Sequence, residues 1–261
     1  MRVPCGTFLT YSTIATPTAH SAARLDISGR VESSGYAAPA AYGAGIQTFL
    51  QRVFLWMFAG LLTTAVVAGL VGSSNSLMTS ITESPGIVTV VFIGQLALVF
   101  ALVAGINRMS VSTALALFFL YSATVGITFA MIFELYTKQS IFSTFAITAA
   151  MFGSLALIGY TTKKDLTKLG PILFAALIAL IVATVVNIFV ASSSLYWITT
   201  YAGVLIFAGL TVYDMQKIRK IGEQGIGGEQ ESKLAIMGAL ALYLDFINMF
   251  LFLLRIFGNA R

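Results

Sequence analysis

The chain has 261 residues, 58% of them hydrophobic and only 10% charged, and its mean hydropathy is +0.91. A soluble globular chain carries about 25% charge; 15 basic and 10 acidic side chains are too few to cover a water-exposed surface of this size, so the chain belongs to the membrane class. One cysteine, Cys5, excludes a disulfide framework or a cysteine metal site. One histidine, His20, lies in a polar stretch, which removes Ser-His-Asp and Cys-His catalysis and histidine-bound zinc or haem from the apolar body.

Residues 1–45 are rich in Ser, Thr, Ala, Gly and Pro and show no helical periodicity, so they read as a disordered polar tail. Pro4, Gly6 and several hydroxyl residues break the run that a signal peptide would need. Arg2, Arg24 and Arg30, opposed before Glu32 only by Asp26, give a faint organellar-presequence character beside the plain-tail reading.

From 46 to 261 the chain is one membrane domain. Apolar stretches occupy about 50–72, 87–106, 111–134, 141–160, 171–191, 196–215 and 234–256. Each is long enough to cross a core of roughly 30 Å at about 1.5 Å per residue. Backbone groups in lipid must bond internally, so the expected fold is all-α, a seven-transmembrane-helix bundle. Turn-like residues separate the spans: Gly72 to Asn75, Ser84 to Gly86, Asn107 with Arg108, Gly170 with Pro171, and Ser192 to Ser194. The glycine-bearing segment 222–233 reads as a flexible link.

With seven spans, twelve of the 15 basic residues fall on the amino-terminal side, and Lys138, Arg255 and Arg261 on the other. Cytoplasmic loops collect Lys and Arg, which predicts an internal amino terminus and an external carboxyl terminus.

Asp245 stands about eleven residues into the seventh span, near mid-bilayer. Inserting it costs on the order of 3 kcal/mol, which calls for a partner, a proton or water. Gly238, Ala241, Asp245, Asn248, Phe252 and Arg255 recur at steps of three and four, so they share one face. The stripe is mostly small or polar and marks a pore or packing seam, which makes the seventh helix the expected central one. Asp214 closes the sixth span on the cytoplasmic side. It meets Asp245 if either helix dips or tilts; the alternative is an interfacial residue beside Lys217. Arg108, on the same side, is a candidate to neutralise the pair. For Asp245 the plain alternative is a helix-helix hydrogen bond. Glu134 and Lys138, spaced i, i+4, read as a surface pair. Gln95, Thr184 and Asn187 read as packing glue rather than pore lining.

The segments Thr211-Val-Tyr-Asp-Met-Gln216 and Leu242-Tyr-Leu-Asp-Phe-Ile-Asn248, with the ending Phe250-Leu-Phe-Leu-Leu-Arg255, resemble the Bax inhibitor-1 family over residues 45–258. The resemblance implies seven helices with the last surrounded by the other six. It implies a pH-sensitive calcium leak, as described for bacterial members; eukaryotic relatives in the endoplasmic reticulum suppress cell death and lower stored calcium. The family's paired aspartates fall on Asp214 and Asp245, and the arginine that contacts them falls on Arg108. The family's glutamate in the second helix has no match; nearby Gln95 is uncharged. A eukaryotic-type charged tail is also missing.

Two carboxylates close together in low dielectric resist joint ionisation and share a proton, which latches the two helices. They also offer the hard oxygen ligands Ca²⁺ prefers. The expected function is therefore a passive calcium leak gated by protons, with no enzymatic activity and no cofactor beyond Ca²⁺ as permeant or bound ion. A proton-coupled cation antiporter uses the same residues. A non-conducting regulator of other membrane proteins would use the stripe for packing only. An intramembrane aspartyl protease would need two facing aspartates, which are present, but no protease motif accompanies them. The expected partners are the bilayer, Ca²⁺, protons and membrane proteins, with no nucleic acid. The expected location is a bacterial plasma membrane, with the endoplasmic reticulum or another organelle as the alternative.

Overall fold

The computed structural model describes residues 39–259. Cys5, His20, Arg261 and the tail before Pro39 lie outside them. Among the described residues the chain forms eight helices: α1 (Pro39–Gly72), α2 (Asn75–Glu83), α3 (Pro85–Gly105), α4 (Val111–Leu135), α5 (Lys138–Thr161), α6 (Leu169–Val190), α7 (Ser193–Glu223) and α8 (Gly228–Phe257). Seven are long and apolar enough to cross a membrane; α2 is not. The protein is an all-α multi-pass membrane protein.

The spans follow the apolar stretches, with differences at their ends. α1 begins at Pro39, inside the stretch assigned to the tail. A proline in the first turn followed by alanines favours helix there, whatever the polarity. α2 occupies what reads as a turn between the first two spans. Ser74 caps it by accepting a hydrogen bond from the Leu77 amide, and Met78 and Ile81 anchor its buried side. α7 and α8 run well past the apolar stretches, so the link between them shrinks to residues 224–227. Ion pairs replace lipid burial along these polar ends: Arg219 with Glu223 at 3.2 Å, Lys233 with Glu229 at 3.0 Å, and Arg52 of α1 with Glu231 at 3.2 Å. Positive φ at Gly225, Gly227 and Gly228 (57°, 70° and 66°) makes so tight a reversal possible.

Glu134 and Lys138 form no ion pair. The helix breaks at Tyr136 and Thr137, where Thr137 caps α5, and the i, i+4 geometry is lost. Gln95 does join helices: its Nε2 donates to the Thr124 carbonyl at 2.8 Å and to Thr128 Oγ1 at 2.7 Å, tying α3 to α4. Thr184 and Asn187 do not. Thr184 bonds to Leu180 one turn back, and Asn187 Oδ1 accepts from the Ser192 amide at the end of α6.

α8 packs against α1, α4, α5 and α7, while α3 packs on α4 and α6 on α7. Burial follows the same division. In the most apolar window of α8, 67% of residues are buried, against 6% in α3 and 6% in α6. Aromatic rings fill the contacts around α8: Phe118 and Tyr121 of α4 meet Tyr243 edge-on, Phe145 and Phe152 of α5 meet Phe246, and Phe207 of α7 stacks on Phe252.

Candidate functional site

The register of α7 against α8 sets the site. Phe207 and Phe252 stack with centroids 6.0 Å apart, and Gly203 leaves room for the Phe252 ring, which a Cβ at that position would strike. The helices are antiparallel. Seven residues onward from Phe207 is Asp214, and seven residues back from Phe252 is Asp245. Both steps are two turns, about 10.5 Å, in the same spatial direction. The two carboxylates therefore stand within about one turn of the same level of the bundle, and the charge of Asp214 acts on Asp245.

Asp245 is 3% exposed, and its Oδ2 has no hydrogen-bond partner. Asp214 is half-buried. It lies inside α7, nine residues short of the last helical residue, and does not end the helix as the sequence suggests. Lys217, one turn further on, is the cation whose charge acts on it. Arg108 is not. It is exposed in the turn between α3 and α4, where its backbone amide bonds to the Gly105 carbonyl at 2.8 Å, and its side chain joins none of the ion pairs among the described residues. The expected contact with the pair fails because α3 packs on α4, away from the α7–α8 seam.

The rest of the stripe is mixed. Gly238 lets α8 approach Ile218 of α7, to which an added Cβ would come within 3.2 Å. Ala241 is half-buried, and Asn248 donates within its own helix to the Leu244 carbonyl. Arg255 lies over the rings of Tyr196 and Phe252 at 5.5 and 5.2 Å. Among the described residues no three His, Cys, Asp or Glu side chains converge on a metal position. Any calcium held by the pair would need further oxygens from carbonyls, hydroxyls or water.

Two features here have no signal in the sequence. First, the carboxyl-terminal end of α7 is stapled to the loop between α5 and α6. Gln216, two residues past Asp214, accepts from the Leu166 amide at 2.9 Å and donates to the Lys164 carbonyl at 2.8 Å. Arg219 donates to the Tyr160 carbonyl at 2.5 Å, and Lys220 to Asp165 at 2.6 Å. The Lys220 ammonium, then the Thr167 hydroxyl and amide, hold the exposed Asp165 carboxyl well below the usual carboxylate range. Second, a groove of about 410 Å³ opens between α1 and α5, with Leu50, Phe54, Met57 and Phe152 in its walls and Met215 and Phe246, the chain neighbours of the two aspartates, also lining it. Its walls are almost wholly apolar and carry no charged side chain.

Residues 46–261 match the family described as inhibitor of apoptosis-promoting Bax1. The chain belongs to the Bax inhibitor-1 family. It is 48% identical over 221 residues to the inner membrane protein YbhL of Escherichia coli K12, covering 84% of this chain and 94% of that one. It is 43% identical to a protein of Deinococcus radiodurans over 83% of this chain and 92% of that one. A protein of Borreliella burgdorferi is 42% identical over 82% and 92% of the two lengths.

Proposed function

We propose that this family member is a passive, pH-sensitive calcium leak in which Asp214 and Asp245 are sensor and gate. The observation that carries the reading is Asp245: a carboxyl inside a membrane span, 3% exposed, with one oxygen unpartnered and a second aspartate within about one turn of its level across the α7–α8 seam. An isolated carboxylate there is too costly to persist, so the pair must hold a proton or a cation. Protons and Ca²⁺ then compete for the same oxygens, and permeation depends on pH. The Lys217 charge tempers the pair from the inner end. The setting that fits best is a bacterial inner membrane, as for the inner membrane protein YbhL, with the amino terminus and the basic loops inside.

The test is calcium entry into proteoliposomes holding the purified protein and a trapped calcium dye, measured across pH. Wild type should show a graded pH response. Asp214→Asn and Asp245→Asn should each shift or flatten it, because the carboxyl that remains no longer has a like charge to share a proton with. A wild-type response in either variant would remove that residue from the sensor. Flux that requires an opposing proton gradient would make the protein an antiporter instead.

A further inference from the structure

A row of hydroxyl residues runs along the buried side of α5. Ser140, Thr144, Thr148, Phe152, Ala156 and Gly159 form its buried face. Phe152 on this face meets Phe246 of α8, and Gly159 lies against the Val212 carbonyl and Met215 of α7, so the face looks into the α7–α8 seam. Phe145, next to Thr144, meets Phe246 and Phe250, in the two turns of α8 immediately beyond Asp245. Thr144 and Thr148 thus continue from the level of the aspartate toward the far end of the bundle. Ser140 reaches that end, where its Oγ accepts from the Asn259 amide at 3.0 Å.

Thr144 is the telling residue. It is fully buried, and its Oγ1 has no hydrogen-bond partner. In an apolar span a threonine satisfies its hydroxyl by donating to the carbonyl one turn back, as Thr148, Thr184, Thr199, Thr200 and Thr211 all do here. Thr144 does not, although such a bond would remove the penalty of an unmade one. A second unpartnered oxygen, Asp245 Oδ2, lies on the same seam. Two buried oxygen atoms left open on one seam suit water or a cation. Arg255, at the far end, lies over the rings of Tyr196 and Phe252, which hold its guanidinium to one side.

We infer that the Ser140, Thr144 and Thr148 face of α5, closed in this structure, opens as a hydrated half-channel carrying a divalent cation between the outer surface and Asp245. It rests on the leak reading and supplies the outer half of its route.

The experiment uses single cysteines in a Cys5→Ser background, at Thr144, Thr148 and, as a control, Ile147, which is 42% exposed on the lipid side of the same helix. The reconstituted full chain is treated with a membrane-impermeant, positively charged methanethiosulfonate, and the modified fraction is read by mass. Thiolate formation needs water, so Thr144→Cys and Thr148→Cys should react about tenfold faster than Ile147→Cys, and the reaction should block calcium flux. Thr144→Val should lower flux and Thr144→Ser keep it. Equal, slow labelling at all three positions with flux intact would overturn the half-channel and leave the leak standing. Fast labelling at 144 and 148 in a protein that passes no calcium would support the aqueous path and overturn the leak.

Discussion

Tyr243 shows how much a single hydroxyl decides inside this bundle. Thr64 Oγ1 lies 2.9 Å from the Ser122 carbonyl and 3.1 Å from the Gly60 carbonyl, so its one proton goes to a carbonyl. The 2.6 Å contact between Thr64 Oγ1 and the Tyr243 hydroxyl must then be donated by Tyr243. One chain of bonds therefore ties α8 to α1 and α4, two residues before Asp245. Tyr243→Phe keeps the edge-on packing against Phe118 and Tyr121 and removes only the donor. It should cost about 1 kcal/mol, read from the denaturation midpoint in micelles. Asp245 is different in kind. Asp245→Asn removes a titrating group rather than a structural bond, so its expected effect is a shifted or flattened pH response in flux, with stability little changed. None of the partners of Tyr243 is legible in the sequence, because Thr64, Ser122 and Tyr243 are ordinary membrane residues until the helices meet. Asp245 is legible because a carboxyl in an apolar run is anomalous wherever the helix packs.

At the scale of the element, α5 and α7 are held together by close backbone approach and by the loop that follows α5. A Cβ on Gly159 would run into the Val212 carbonyl and come within 2.9 Å of the Met215 Cβ. Neither atom is the flexible end of a side chain, so Gly159→Ala must separate the helices and should cost about 1–3 kcal/mol by overpacking; a rise in the denaturation midpoint would refute the close contact. The loop clamp has a pH signature. The Asp165 carboxyl is held below its ordinary value in the folded protein. Its contribution is therefore complete above the unfolded value of about 3.9 and is lost as pH falls through the lower folded value. At neutral pH, Asp165→Asn should lower the amide protection factors, taken against the intrinsic exchange rate at each pH, in the loop of residues 162–168, and acidification toward pH 2 should lower them in wild type while adding little to the variant. Helix lengths were only partly readable at this scale. Hydropathy finds what lies in lipid, but α7 and α8 extend on ion pairs and on Gln216 and Arg219. The acceptors of those two side chains are backbone carbonyls some 50 to 60 residues away in the chain.

For the whole molecule, the prediction concerns sidedness. Seven spans and the bias of basic residues predict an α7–α8 turn inside and an end of the chain outside. A reporter inserted at residues 224–227 should score as cytoplasmic and one fused after Arg261 as external. Both on one side would contradict the seven crossings. The same asymmetry also shows a limit of reasoning by side. Arg108, Asp214 and Lys217 share the inner face by count, yet only Lys217 acts on Asp214. Sidedness orders residues along the membrane normal and says nothing of their lateral positions, and α3 lies on α4, clear of the seam.

By itself the sequence determined the membrane class, the seven crossings, their sidedness as an expectation, and the two aspartates as the anomalous charges. The class, the crossings and the anomalous aspartates follow from transfer free energies that act on each residue or span alone, and the sidedness from the Lys and Arg bias of the loops. Tertiary structure decided which spans touch α8, that Asp214 stands close to the level of Asp245, that Lys217 rather than Arg108 is the neighbouring cation, and that Thr144 is left without a partner. These depend on helix register and lateral order, which ring-on-ring contacts such as Phe207 on Phe252 and close approaches such as Gly159 to Val212 set across the bundle. Lipid solvates the outer face of every span alike, so the hydropathy of one span carries no information about its neighbours.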